Sequence, residues 1–392
     1  MNIKNIDKKE VTFWVIILLS VLINIGLSVI VPAMPLIIRD EFDDSFLTLV
    51  FFALLFSRFV ASNFVGKLLC YIPAHKLLLF GLILHAITMG MFTFANTQAE
   101  FIFLRALEGV FEGISTVILQ YYVISLSNDK SRGRMMGVYA SSIGLGFIFG
   151  SIIGGLLVKF YGLNGVFIGT MILMFIGVSI LLFAYKTLQS VTIQNKVQST
   201  KEKDFSLLAE VVKYLPYYSG ALVQRGLFIA FSALLPLYLV DNFELEVYNI
   251  GYYFTISAII TSIMMPWTGR FSDKYEASII TYLSLCLMSI SIAGFSFATN
   301  EIIFNILFVI ETIAFAFMAP AAMNIFSSKV SNSNNQEQVI ATVSSARDIV
   351  AMLVVVLVLP LYSISPVYAW FTLSFLTLIS AAPYIMLSRA RI

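Results

Sequence analysis

Apolar runs of roughly 20 residues alternate with short polar breaks along the whole chain, as in Phe13 to Pro32, Leu77 to Ala95 and Ile279 to Ala298. That length suits an α-helix crossing a hydrocarbon core of about 30 Å. Strands of a closed barrel would show shorter segments alternating residue by residue, so helices are predicted. The pattern divides into twelve spans: 12–36, 46–69, 76–95, 100–125, 134–159, 164–186, 213–240, 248–269, 277–298, 301–328, 338–361 and 366–388. One connection is long, the polar stretch from Thr187 to Val212 with its Gln, Lys, Ser and Thr.

Composition agrees with that pattern. The 392 residues are 59% hydrophobic and 12% charged, with a mean hydropathy of +0.92, against about 25% charged in an average soluble domain. The fold class expected is an all-α integral membrane protein. The opening segment MNIKNIDKKE leads into a full span with no small-residue cleavage site after it, so it is expected to stay in the mature protein. Cys70 and Cys286 alone exclude a disulfide framework, and with two scattered histidines they offer neither a metal site nor a nucleophile–base pair. No enzyme, cofactor or nucleic-acid partner is expected.

Charge placement tests the span count. With both termini in the cytoplasm, 18 of the 24 Lys and Arg fall in inner loops and only Arg39 and Lys159 in outer ones, the bias of a multi-pass protein. The outer loops are acidic, with Asp40, Glu41, Asp43 and Asp44 in the first and Asp241, Glu244 and Glu246 in the fourth. Richness in Ile, Phe, Asn and Lys suits an AT-rich bacterial genome, hence a bacterial cytoplasmic membrane. Four arginines remain inside spans: Arg58, Arg105, Arg225 and Arg347.

The second half repeats the first. At an offset of 203 or 204, Pro32 meets Pro236, Glu41 meets Glu244, Gly66 meets Gly269, Cys70 meets Asp273, Glu108 meets Glu311, and Ser141–Ser142 meets Ser344–Ser345. Residues 1–186 and 213–392 thus read as two six-helix bundles in one orientation, joined by a linker over 187–212. Parallel repeats of this kind are used by secondary transporters, with the substrate site near the bilayer midplane.

Several motifs then resemble the major facilitator superfamily and, within it, the twelve-helix drug:proton antiporter group. The first span holds IGLSVIVPAMP, with Gly26, Pro32 and Pro35 at that group's spacing. The loop GRFSDK, with Gly269, Asp273 and Lys274, resembles the superfamily's Gly-x-Leu-x-Asp-Arg loop. Its first copy, GKLLCYIPAHK, keeps Gly66 but has Cys70 where the Asp is expected. RALEG keeps Arg105 and Gly109 of an Arg-x-x-Gln-Gly pattern, and GFIFGSIIGG (Gly146 to Gly155) resembles the antiporter signature with Ser151 in place of Pro. The resemblance implies two parallel repeats around a central cavity, working as a monomer, and a latch at Asp273 set against a helix N-terminus of the other half. Unaided by resemblance, Gly146, Gly150 and Gly154 recur every fourth residue and, with Gly155, offer a close-packing surface.

The fourth span carries the strongest chemical signal. Arg105, Glu108 and Glu112 stand at i, i+3 and i+7, hence on one helix face, although a charge at the bilayer centre costs roughly 2.5–3.5 kcal/mol. One pair could neutralise itself and merely hold helices together, but one guanidinium cannot neutralise two carboxylates. Glu311, Arg347 and Asp348 add charge in the second half, and four arginines balance the acids Glu108, Glu112, Glu311 and Asp348. Desolvation favours a neutral acid and a nearby arginine favours the carboxylate, so an acid of this network can exchange protons. Protonation of Glu108 or Glu112, and after them Glu311, is expected to free an arginine for an anionic group.

Cargo follows from the same residues. Arg58 and Arg225, with guanidinium forks that bind carboxylates bidentately, point to a carboxylate-bearing metabolite such as a siderophore or metallophore. Asn24, Gln224, Tyr121, Tyr253, Ser344 and Asn324 are candidate contacts, weighed against plain packing in a chain with 35 Phe. His85 reads as a packed histidine rather than a proton relay. Proton-coupled efflux is the expected function. Multidrug efflux, proton-coupled nutrient import and a non-transporting sensor are the alternatives.

Overall fold

Where the apolar runs are long, the chain coils into long helices. The computed structural model describes residues 3–42, 44–126, 132–189, 207–330 and 336–389. The first half holds α1 (Ile3–Ile30), α2 (Met34–Glu41), α3 (Asp44–Leu68), α4 (Ala74–Met91), α5 (Gln98–Leu126), α6 (Arg132–Tyr161), α7 (Gly165–Phe183) and the short α8 (Tyr185–Gln189). The second holds α9 (Leu207–Phe243), α10 (Val247–Lys274), α11 (Ala277–Phe295), α12 (Glu301–Val330), α13 (Gln336–Ile364) and α14 (Pro366–Arg389). Eleven stretches of the described residues are long and apolar enough to cross a membrane. The remaining long helix, α5, is the one that carries Arg105, Glu108 and Glu112. Most of the 187–212 linker lies outside the described residues.

The first predicted span is not one helix. It breaks at residues 31–33, between α1 and α2. Pro32 has no N–H for the carbonyl four residues back, and Pro35 lies at the start of α2, where no N–H is needed. Pro236, the repeat counterpart of Pro32, has no second proline three residues on, and α9 runs through it unbroken.

The residues fall into two compact units. One is drawn from 1–42, 49–200 and 246–258, the other from 43–48, 201–245 and 259–392. In the first, α6 lies along α1 with almost no space between backbones. A Cβ at Gly150 would overlap Ser28 Oγ and the Ile25 carbonyl, and one at Gly154 the Val29 carbonyl. Ser28 Oγ donates to the Gly146 carbonyl at 3.0 Å, and Ser142 Oγ donates to Ser20 Oγ at 2.7 Å. Without a hydrophobic drive between helices in lipid, such close dispersion contacts and hydrogen bonds hold the pair. A second small-residue face of α6 meets the first turns of α10: a Cβ at Gly155 would lie 2.7 Å from the Tyr248 carbonyl. Lys159 Nζ lies over the Tyr248 ring at 4.8 Å.

Each unit also holds an aromatic triad, and the two triads are related by the repeat. Phe92 packs on Phe101 (5.7 Å between centroids) and Phe167 (4.9 Å). At an offset of 203, Phe295 packs on Phe304 (4.8 Å) and Trp370 (5.2 Å). All six rings are 2% exposed or less. The helix that follows each triad's first ring is capped at matching positions. Before α5, Thr97 and Glu100 form a reciprocal capping box: the Thr97 N–H donates to Glu100 Oε2 at 3.0 Å and the Glu100 N–H to Thr97 Oγ1 at 3.3 Å. Before α12, the Ile303 N–H donates to Asn300 Oδ1 at 2.9 Å.

Candidate functional site

The charged stripe of α5 is positioned by two glycines on the neighbouring face of the same helix. A Cβ at Gly109 would overlap Ser57 Oγ and the Leu54 carbonyl, and one at Gly113 would lie 3.0 Å from the Arg58 carbonyl. Small residues there let α3 come close, and α3 delivers Arg58 beside Glu112.

The ion pairs that result are unequally closed. Arg105 Nη1 donates to Glu108 Oε2 at 2.7 Å, with both side chains 4% exposed. The Arg105 guanidinium also lies over the Phe51 ring at 5.6 Å. Arg58 Nη1 stands 3.3 Å from Glu112 Oε1, with 17% and 13% exposure, and Arg225 Nε stands 3.7 Å from Asp348 Oδ1, with 23% and 19%. The first pair is sealed by a charge-assisted hydrogen bond. The other two are longer contacts between partly exposed side chains, and the nitrogens that make them, Arg58 Nη1 and Arg225 Nε, are buried and form no hydrogen bond among the described residues. Of the stripe expected to act together, Arg105 and Glu108 pair with each other, although Arg105 Nε forms no hydrogen bond among the described residues, while Glu112 takes its partner from another helix.

Glu311 differs from all of these. It is 7% exposed on α12 and has no ion-pair partner among the described residues. Where the first unit has Arg105 three residues before Glu108, the second has Phe308 three residues before Glu311. Arg347 is half-buried beside Asp348 on α13 and takes part in contacts of its own.

The remaining candidates are dispersed. Asn24 is 6% exposed and donates to the Ser20 carbonyl at 2.8 Å, with its Cβ against Gly146, so its amide belongs to the α1–α6 contact. Asn324 Nδ2 donates to the Ser272 carbonyl at 3.3 Å. Gln224 is half-buried next to Arg225, Tyr253 is 8% exposed and Tyr121 is 38% exposed. Gly26 faces the flexible end of Met174, while Gly66 and Gly269 meet nothing closer than 4.0 Å and 3.9 Å, so close packing does not account for these two loop glycines. Pro32 and Pro35 are buried, and Lys274 is exposed. The side chains of Asp273 and Ser344 lie outside the described residues. No cluster of three or more His, Cys, Asp or Glu among the described residues could hold a metal.

Residues 16–355 match the sequence profile of the Major Facilitator Superfamily. Among curated proteins, the chain is 23% identical over 324 residues to Multidrug resistance protein 2 of Bacillus subtilis, covering 81% of this chain and 79% of that one. It is 23% identical over 235 residues to an uncharacterized MFS-type transporter of Methanocaldococcus jannaschii (58% of this chain, 59% of that one). It is 24% identical over 280 residues to the riboflavin transporter RibZ of Clostridioides difficile (59% and 60%). The chain thus spans less than two thirds of the length of two of these three relatives. Among solved structures, a bacterial homolog of the human lysosomal transporter Spinster superposes with a TM-score of 0.79 at 15% identity, over 97% of both chains. The human organic anion transporter MFSD10 superposes at 0.67, also at 15% identity, over 96% of this chain and 99% of that one.

Proposed function

The chain belongs to the major facilitator superfamily, whose members are multi-pass transporters of small molecules rather than enzymes and need no cofactor, and on that footing we propose a proton-driven exporter of carboxylate-bearing metabolites. The observation that carries this reading is the unequal closure of the charges. A sealed pair such as Arg105–Glu108, closed within α5, leaves its arginine committed to its own helix. An open pair offers its arginine to an incoming carboxylate, and the second unit has one in Arg225–Asp348, the first in Arg58–Glu112.

Thermodynamic linkage decides where the proton must act. If protonating an acid frees its arginine for an anion, proton and cargo favour each other's binding, which drives cotransport. Exchange needs a group at which the two compete. Glu311, buried with no ion-pair partner among the described residues, is such a group, because its carboxylate takes either a proton or a cationic group of the cargo. Within the second unit, a cargo that uses both features carries a carboxylate for Arg225 and an amine for Glu311, as an amine-bearing polycarboxylate chelator of the metallophore kind does. Resemblance of GFIFGSIIGG to the antiporter signature supports export. The Lys and Arg bias supports a cytoplasmic membrane with both termini inside, the matches at an offset of 203 or 204 support the halves 1–186 and 213–392 as duplicated bundles, and the family resemblance supports a working monomer.

Multidrug efflux is the second reading. A lipophilic cation needs Glu311 and no arginine, and a relative of this chain is named a multidrug resistance protein. Everted vesicles with an imposed proton gradient separate the two. The proposal expects gradient-dependent accumulation of an amine-bearing polycarboxylate, lost in Glu311→Gln and in Arg225→Gln. Ethidium accumulation that needs only Glu311, with no polycarboxylate uptake, would establish drug efflux instead. Proton-stimulated polycarboxylate uptake into intact cells would reverse the assigned direction.

A further inference from the structure

In the middle of the apolar α4 stands His85, fully buried, and neither Nδ1 nor Nε2 meets a hydrogen-bonding partner among the described residues. A neutral imidazole always presents one N–H donor and one acceptor, and an interior without water makes both costly to leave unmatched. Ser115 Oγ on α5 is likewise fully buried and unpartnered.

The helix register brings these groups to Glu112. Gly81, one turn before His85, lets α4 approach α5, where an added Cβ would lie 3.3 Å from Ser115 Oγ. A short connection through Phe92–Phe94 joins α4 and α5, so the two packed helices run antiparallel. Four residues forward from Gly81 therefore correspond to three or four residues back from Ser115, at Glu112 or Phe111. The Glu112 carboxylate acts electrostatically on His85 in keeping with that register. The α7 helix, also packed on α4, carries no ionisable side chain. His75 and Lys76 of α4 lie more than two turns away, with the His75 ring against Tyr185 of α8. On its other side Glu112 faces Arg58 of α3, which also acts on Tyr139 of α6.

We propose that His85, assisted by Ser115, is a second seat for Glu112: when a cargo carboxylate takes Arg58, the Glu112 side chain turns from α3 to α4 and accepts a hydrogen bond from the His85 ring. The inference rests on the reading that cargo competes for Arg58. His85 is then a positioning residue that never touches cargo. It lowers the cost of breaking the Arg58–Glu112 contact, because the displaced carboxylate arrives at a waiting donor instead of an apolar wall. No proton changes hands in this step.

The chain has two histidines, so protein labelled with 15N-histidine and held in lipid nanodiscs reports two ring systems, His75 and His85. Arg58→Gln and Arg58→Met each imitate the state in which Arg58 is taken. Both are expected to shift the His85 ring nitrogens while His75 stays in place, and adding Glu112→Gln is expected to cancel the shift. A His85 signal unmoved in folded Arg58 variants overturns the inference. In vesicles, His85→Leu is expected to raise KM for an amine-bearing polycarboxylate about tenfold with little change in kcat, and His85→Gln, which keeps an N–H donor, to restore most of it. Equal losses in both variants would mark a packing role and also overturn it. If Arg58→Gln leaves polycarboxylate transport unchanged, the cargo reading for Arg58 fails, and the ring shift still reports separately whether the seat exists.

Discussion

Glu108 and Glu311 occupy equivalent positions of a duplicated chain and live in opposite surroundings. Glu108 has Arg105 at 2.7 Å on its own helix, under the ring of Phe51. Glu311 has Phe308 where that arginine would be, and no ion-pair partner among the described residues. A buried carboxylate beside a guanidinium is a structural element, since removing either partner strands the other. A buried carboxyl without one has two protonation states available for work. The repeat places an acid at both positions, and the residue three places before it, Arg105 in one copy and Phe308 in the other, makes their surroundings differ.

The largest expected effect breaks the sealed side of this comparison. Arg105→Leu should lower stability by about 3–5 kcal/mol, seen as a fall in the thermal midpoint in detergent, because Glu108 is left charged and unpaired. Adding Glu108→Leu should recover most of it. If Arg105→Leu unfolds no more easily than the wild type, the pair is not structural. Glu311→Gln should do the opposite, abolishing proton-driven export while the midpoint stays near that of the wild type. Glu108→Gln should cost stability before it costs exchange, and equal transport defects in the two variants would erase the distinction.

Phe308→Arg sharpens the comparison by giving Glu311 the neighbour that Glu108 has. Export should fall on the order of tenfold, about 1.4 kcal/mol, as the acid becomes paired. Undiminished export in a folded Phe308→Arg variant would show that Glu311 is not where the proton exchanges. The smallest effects belong to the helix starts. Thr97→Ala and Asn300→Ala should each cost about 1 kcal/mol, measured by chemical unfolding, with no change in which proton or cargo is carried.

How much of this was legible beforehand depended on range. The helix spans were readable within a few residues, because apolar length and polar breaks are local properties. The break at residues 31–33 was missed although Pro32 and Pro35 were both in view, since one proline bends a helix and their spacing was read only as a motif. The repeat is visible in scattered matches, and its clearest physical mark is aromatic: Phe92, Phe101 and Phe167 stand at an offset of 203 from Phe295, Phe304 and Trp370, a match whose meaning shows only once the rings pack together. Among charges, Arg105–Glu108 follows from i, i+3 spacing alone. Arg58–Glu112 and Arg225–Asp348 each join different helices, and no spacing along the chain announces them. His85 reads as a packed ring, and it is fully buried; that neither nitrogen meets a partner among the described residues depends on the neighbouring helices and not on its neighbours along the chain.

By itself the sequence determined that this chain would lie in a membrane as helices, which elements would form, that they would come as two copies, and that several charges would be drawn into the interior. These follow from hydropathy, backbone hydrogen bonding in lipid and helix periodicity, all of which act over a few turns. Only the tertiary structure decided which charge answers which. Pairing depends on how close two helices approach, and that is set by glycines at a contact, such as Gly109 and Gly113 against α3, whose effect appears only when the second helix is in place.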